Sequence, residues 1–205
     1  MPASTDFARI TASPPADLSF SKITQVRSFV LERPAGDLMV YAAATQPAAD
    51  VTAQYLNHWH EIAVGGTAHA PLLIHEADRA AAERTRPIDR VFRSRALVDD
   101  DFELIPIPGH TAGATAFLWD SGEHRYLFTG DSLYLNGDRW RVAVLEESDR
   151  AAYIKSLKLI AGLDFDVLVP WAASKGGPYF SETTPAATAE RIGEIVERLE
   201  RGENA

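Results

Sequence analysis

Short runs of alternating or continuous apolar residues dominate the chain, and two long stretches near its C-terminal end carry helical spacing instead. Ile23 to Leu31 and Asp37 to Ala43 predict two strands flanking a turn at Pro34-Ala35-Gly36-Asp37. A Pro/Ala/Asp stretch then leads into Val51 to Leu56, a further short strand that ends at Asn57-His58-Trp59-His60. Pro71 to His75 predicts a strand, and the Ala-rich segment Glu76 to Arg84 a helix. Phe102 to Pro108, Thr115 to Trp119 and Tyr126 to Thr129 follow as strands. The acidic triplet Asp99-Asp100-Asp101 just before them reads as a solvated turn. Ser148 is a suitable N-cap for a helix to about Ala161, with Tyr153, Leu157, Ile160 and Ala161 on one face and Gly162 as its stop. Asp166 to Pro170 has the character of a buried strand. A last helix capped by Thr184 and opened by Pro185 aligns Ile192, Ile195, Val196 and Leu199. Strands interleaved with helices predict two sheet layers covered by helices.

Length narrows this to one domain: 205 residues bury one substantial core. Residues 1–20 are expected to be a flexible N-terminal arm, since Pro14-Pro15 discourages regular structure, leaving 21–205 as the single domain. The formal net charge of -9, without a basic cluster, argues against nucleic acid or an anionic membrane as partner and leaves a small-molecule substrate. With no cysteine, disulfides, thiolate nucleophiles and Cys-ligated zinc are excluded, so a metal would have to be held by His, Asp or Glu. There is no apolar leader-like segment at the start and no run near the ~20 apolar residues of a membrane helix, so a cytoplasmic location is expected.

Three segments carry the candidate chemistry. His58-Trp59-His60 places two imidazoles at i and i+2, on one side if the backbone stays extended. His110 stands between glycines in Pro108-Gly109-His110-Thr111-Ala112-Gly113, directly after an apolar strand. Asp131 ends another in Phe128-Thr129-Gly130-Asp131-Ser132, where an unpaired carboxylate would be costly.

Together these segments resemble the metallo-β-lactamase superfamily. Its HxHxDHxGG motif is matched by His58-Trp59-His60-Glu61-Ile62-Ala63-Val64-Gly65-Gly66, its second histidine motif by Pro108 to Gly113, and its bridging aspartate by Gly130-Asp131. The resemblance covers about Ile23 to Gly177 and implies an α+β fold, the four-layer αβ/βα metallo-β-lactamase-type sandwich. It also has gaps. Ile62 and Ala63 stand where the family has the aspartate and histidine of a second metal. Pro170-Trp171-Ala172-Ala173 replaces the turn with its last histidine, and Val40-Tyr41-Ala42-Ala43 lacks the usual Asp-x-Gly.

The resemblance therefore implies one divalent metal, zinc with iron or manganese as alternatives, held by His58, His60, His110 and Asp131. It implies a mononuclear hydrolase in which a metal-bound hydroxide attacks an ester, lactone, thioester or amide, with Asp131 accepting the water proton. Two alternatives stand beside it: a member of the fold that binds metal or ligand without turnover, and a mononuclear iron dioxygenase. Glu61 could replace Asp131 as base, but a helix-start or surface acid is the favoured reading. His75 is expected to pack or cap, and His69 and His124 to face solvent. Trp59 and Trp171 could wall an apolar pocket, and Tyr134 and Trp140 its mouth. Lys175 could meet an anionic group, with a surface loop the safer reading.

Overall fold

Successive side chains of the strand Thr115–Asp120 point to opposite faces, so Phe117 and Trp119 enter one core while Ala116 and Leu118 enter another. This alternation builds the molecule, seen in a computed structural model that describes residues 9–204 apart from Phe20 and Ala48. One six-stranded sheet runs in the order Ile10–Ala12, Phe29–Leu31, Leu38–Val40, Ala53–Tyr55, Leu72–His75, Arg90–Phe92. A second runs Ser181–Glu182, Val167–Val169, Arg125–Phe128, Thr115–Asp120, Phe102–Pro106, Ala96–Val98. Phe29, Leu31, Val40 and Tyr55 of the first meet Phe102, Phe117, Trp119 and Phe128 of the second in a central, largely aromatic core.

Helices close the outer faces. Helices α1 (His60–Val64) and α2 (Glu76–Ala82) cover the first sheet through Ile62 and Ala82, packed on Leu56, Leu72 and Ile74. Helices α3 (Arg150–Ile160) and α4 (Pro185–Glu200) cover the second, setting Tyr153, Leu157, Ile192 and Leu199 on Ile105, Leu118 and Leu168. The result is the expected α+β sandwich of four layers, helix, sheet, sheet and helix. A third sheet of five short strands, in the order Arg139–Arg141, Tyr134–Asn136, Ala172–Ser174, Thr24–Val26, Ala16–Asp17, flanks the sandwich beside the candidate site. No helix among the described residues is long and apolar enough to cross a membrane.

Several elements differ from the sequence reading. The expected strand Ile23 to Leu31 is two strands in different sheets, Thr24–Val26 and Phe29–Leu31. It breaks because Ser13 receives the Ser28 N–H on its hydroxyl, and its own N–H donates to the Ser28 carbonyl. The same pairing affects the expected arm. Residues 1–8 lie outside the described residues, but from Ile10 the chain adds an edge strand against Phe29–Leu31, and Ala16–Asp17 pairs with Thr24–Val26. Asp149 rather than Ser148 caps α3, its carboxylate accepting the Ala152 N–H at 2.9 Å. The acidic triplet is more than a solvated turn, since Asp101 forms an ion pair with Arg33, whose side chain is fully buried.

Candidate metal centre

His58, His60, His110 and Asp131 come from three separate loops and meet at one end of the sandwich. Gly130 fixes the Asp131 loop: its φ of +58° lies in the left-handed region, and a Cβ there would overlap the Asn57 side chain. The Gly130 N–H donates at 2.8 Å to Tyr41 Oη, which donates in turn to the Val169 carbonyl at 2.8 Å. Tyr41 itself holds φ +68°, a strained conformation for a bulky residue, at the strand end where the family's Asp-x-Gly is missing. Tyr153 Oη donates to the Ser132 carbonyl at 2.9 Å from the other side.

The His110 loop is held by α3 and α2. Gly109, at φ +150°, leaves no room for a Cβ against Tyr153. Ser148 Oγ donates to the His110 carbonyl at 3.0 Å, which is the role of the residue expected to cap α3. Asp78, buried on α2, accepts from Thr111 Oγ1 and Gly113 N at 2.7 Å each and from Trp59 N at 3.1 Å. One carboxylate thereby ties the His110 loop to the His58 loop.

The His58 loop is not extended. Trp59 adopts helical angles and His60 is the first residue of α1, yet the two imidazole centroids still lie 5.1 Å apart. The turn winds up because Glu61 folds back beneath it. Glu61 is fully buried rather than a surface acid, and it accepts from the N–H groups of Asn57 at 2.9 Å, His58 at 3.3 Å and Ala42 at 3.1 Å. Burial pushes its carboxyl well above the ordinary range, against the pull of those N–H groups.

The protonation of each ring follows from what its outer nitrogen meets. His58 Nδ1 faces Asn57 Oδ1 at 3.0 Å and Glu61 Oε1 at 3.2 Å. His110 Nδ1 faces the Ala143 carbonyl at 2.7 Å, and His60 Nε2 faces Glu147 Oε1 at 3.3 Å. Acceptors on those sides take an N–H from each ring outward and leave the other nitrogen of each facing inward. Burial first, then repulsion from His110, lowers the pKa of His58 far and that of His60 less, so both rings are held neutral.

The inward atoms converge. His60 Nδ1 lies 3.2 Å from His110 Nε2, and ligand atoms of His58, His60 and His110 all fall within 4.8 Å of one another. Asp131 Oδ2 stands 3.7 Å from His58 Nε2 and 3.9 Å from His110 Nε2. His58 Nε2 and Asp131 Oδ1 are buried without a hydrogen-bond partner. Lone pairs and a carboxylate oxygen facing one point, with His58 Nε2 among them orphaned, form an electron-rich cluster that is unfavourable unless a cation sits among them. The residues present fit a single metal ion.

Where the family's second-metal ligands would stand, the chain packs apolar groups. Ile62 is buried under α1, and Trp171 lays its indole against His58 at a centroid distance of 5.4 Å while donating Nε1–H to the Ala42 carbonyl at 2.7 Å. Trp59, Trp171 and Tyr134 line a cavity of about 500 Å³ that opens on the centre. Trp140 does not: it is buried, donates to Ser181 Oγ at 3.0 Å and stacks on Phe165. Lys175 lies away from the lining and pairs with Asp17 at 2.7 Å on the surface. His75 caps α2 by accepting the Ala77 N–H at 3.2 Å, His69 is exposed, and His124 faces Asp166 at 2.9 Å. Asn57, Asp78, Tyr41, Tyr153 and Glu147 contribute without having stood out in the sequence. Only Asp78, an acid on the buried face of an Ala-rich helix, left a usable signal.

A family model for the metallo-beta-lactamase superfamily matches residues 35–172, a span containing all four converging residues. A hydroxyacylglutathione hydrolase of Xanthomonas axonopodis pv. citri (strain 306) is 31% identical over 136 residues, 63% of this chain and 50% of that protein. The chain thus spans about half the length of this curated relative. Among solved structures, a metallo-beta-lactamase from Erythrobacter litoralis superposes with a TM-score of 0.68 over 93% of both chains at 18% identity. A metallo-beta-lactamase family protein from Thermus thermophilus gives 0.62 over 94% of this chain and 80% of that one, also at 18% identity. These two likenesses concern the fold.

Proposed function

The chain belongs to the metallo-beta-lactamase superfamily, and from that premise we propose that it is a hydrolase of a small ester- or thioester-type substrate working with one divalent metal, zinc. The observation that carries this reading is the convergence of three inward imidazole nitrogens, with Asp131 Oδ2 3.7 Å from His58 Nε2 and 3.9 Å from His110 Nε2. His58 Nε2, His60 Nδ1 and His110 Nε2 would hold the metal, with Asp131 completing the set; three imidazoles and a carboxylate are a donor set suited to zinc. A cation held there would supply Lewis-acid chemistry, sharpening water as a nucleophile and polarising a carbonyl oxygen.

The chain's own residues do the rest. Glu61 and Asn57 orient His58 through its Nδ1–H, the Ala143 carbonyl orients His110, and Glu147 orients His60. Asp131, whose Oδ2 stands near His58 and His110 and whose Oδ1 has no partner, would accept the proton of attacking water and return it to the leaving group. Trp171 and Trp59 wall the cavity beside the centre with apolar surface. The hydrolase name of the curated relative supports the reaction class.

The test is elemental analysis of chain purified without chelator, beside His110→Ala, with turnover on an ester and thioester panel before and after chelation. Wild type is expected to hold about one zinc and lose activity on chelation, and His110→Ala to hold much less metal. Equal metal content in the two proteins would remove His110 from the site. Stoichiometric metal with no turnover on any substrate would leave a ligand-binding protein rather than a hydrolase.

A further inference from the structure

The cavity that reaches the candidate metal centre is walled by Leu18, Val64, Leu145 and the two indoles of Trp59 and Trp171. Outside the centre itself, the polar side chains on the described lining are Ser21, Thr24 and Tyr134, and the lining includes no lysine or arginine. The charges shown at the centre itself are carboxylates. Asp131 faces the cavity, and Glu147 stands 3.3 Å from His60 Nε2. Two carboxylates offset the charge of a divalent cation, so an anionic substrate group would be desolvated there without a partner. Of the cations that neighbour the lining in sequence or across a strand pair, Lys175 is paired with Asp17, while Lys22 follows Ser21 and Arg141 pairs with Tyr134 in register, neither of them on the lining itself. Leu145, on the lining, is 40% exposed, and Ile23, which lies in sequence between the lining residues Ser21 and Thr24, is 72% exposed. These are two of the large apolar side chains left open to solvent among the described residues, and a hydrophobic surface continuous with a pocket marks a ligand-binding surface.

We propose that the substrate carries an uncharged apolar acyl group, seated between Trp171, Trp59, Val64 and Leu145 with its carbonyl at the metal centre. The proposal rests on the hydrolase reading for the carbonyl and on the cavity for the acyl group.

The test measures kcat/KM of the zinc-loaded full chain on p-nitrophenyl acetate, butanoate, hexanoate and octanoate and on the p-nitrophenyl hemisuccinate. Beside it, binding of the uncharged, inert hexanamide and octanamide is followed by tryptophan fluorescence. Each methylene that enters the cavity is expected to raise kcat/KM up to about fourfold, the ratio equivalent to ~0.8 kcal/mol per buried CH₂. The hemisuccinate is expected at or below the acetate. Leu145→Glu should lower the octanoate-to-acetate ratio at least tenfold and weaken octanamide more than hexanamide. A flat or falling series, or preference for the hemisuccinate, would overturn the acyl inference while leaving the hydrolase reading in place. Failure to turn over any ester, with octanamide still binding several-fold tighter than hexanamide and sensitive to Leu145→Glu, would end the hydrolase reading and uphold the cavity assignment. Neither turnover nor binding would overturn both.

Discussion

Glu61 shows how much one buried side chain can decide. Its carboxylate accepts three backbone N–H groups and faces His58 Nδ1 at 3.2 Å, so it both winds the first turn of α1 and points an imidazole lone pair inward. At the strand end opposite, the family's aspartate is absent and Ala42 offers a backbone N–H instead. Glu61 supplies from the helix side the carboxylate that the strand lacks. Glu61→Gln puts an amide NH₂ among N–H donors and weakens the hold on the imidazole. Zinc affinity, measured by competition with a chromophoric chelator, is expected to fall 10–100-fold, the usual cost of losing such a partner. The apo protein should lose roughly 1–3 kcal/mol in urea. Unchanged zinc affinity in a folded Glu61→Gln protein would reduce Glu61 to a helix-capping role. The sequence concealed this residue because the extended backbone assumed for His58-Trp59-His60 turned it away from the histidines. The carboxylate's own hydrogen bonds make that stretch helical.

At the level of elements, the centre depends on how loops are tied to the helices behind them. Asp78 joins the α2 face to both histidine loops through Trp59 N, Thr111 Oγ1 and Gly113 N. Asp78→Ala would leave three donors without an acceptor. A loss of about 3 kcal/mol or more, or a fall of roughly 6–12 °C in thermal midpoint, is expected for a chain of this size, along with weaker zinc binding although no ligand is touched. Arg79→Ala on the same helix removes only an exposed pair with Glu83 and should shift stability by less than about 0.5 kcal/mol. Similar losses for the two variants would refute the tie. Legibility in the sequence followed the same division. Strands such as Phe102–Pro106 and Thr115–Asp120 and the helices α3 and α4 were readable, because each buries a face whose period is written in consecutive residues. Among the short strands of the third sheet, Ala172–Ser174 was not, since its partners Thr24–Val26 and Tyr134–Asn136 are distant in the chain, while the hairpin of Tyr134–Asn136 with Arg139–Arg141 was local but too short to show a period. The four converging residues were named from local motifs. Of the side chains that aim them, Asn57 acts on its neighbour His58 while also reaching Thr115, and Asp78 and Tyr153 act across 19 or more residues of sequence.

For the molecule as a whole, the large aromatic content of the core sets a limit on the alkaline side. Tyr41, Tyr126 and Tyr153 are all buried, and burial raises the pKa of each, with Tyr126 pushed up to about 12 by burial and then by Asp166 and Glu123. In the unfolded chain a tyrosine releases its proton near pH 10. Between about pH 10 and pH 12 the unfolded state therefore loses phenolic protons that the native state keeps. With fewer protons bound in the unfolded state, the free energy of unfolding falls as pH rises, and the contribution is fully present only below about pH 10. The urea midpoint is expected to hold between about pH 8 and pH 9 and to drop steadily above pH 10. Tyr126→Phe should flatten part of that drop, because phenylalanine has no proton to release. The rising negative charge of a chain already at -9 also loosens the fold at high pH, but it acts on wild type and Tyr126→Phe almost alike. The difference between their two slopes isolates the tyrosine, and identical slopes would show that its burial does not govern alkaline stability.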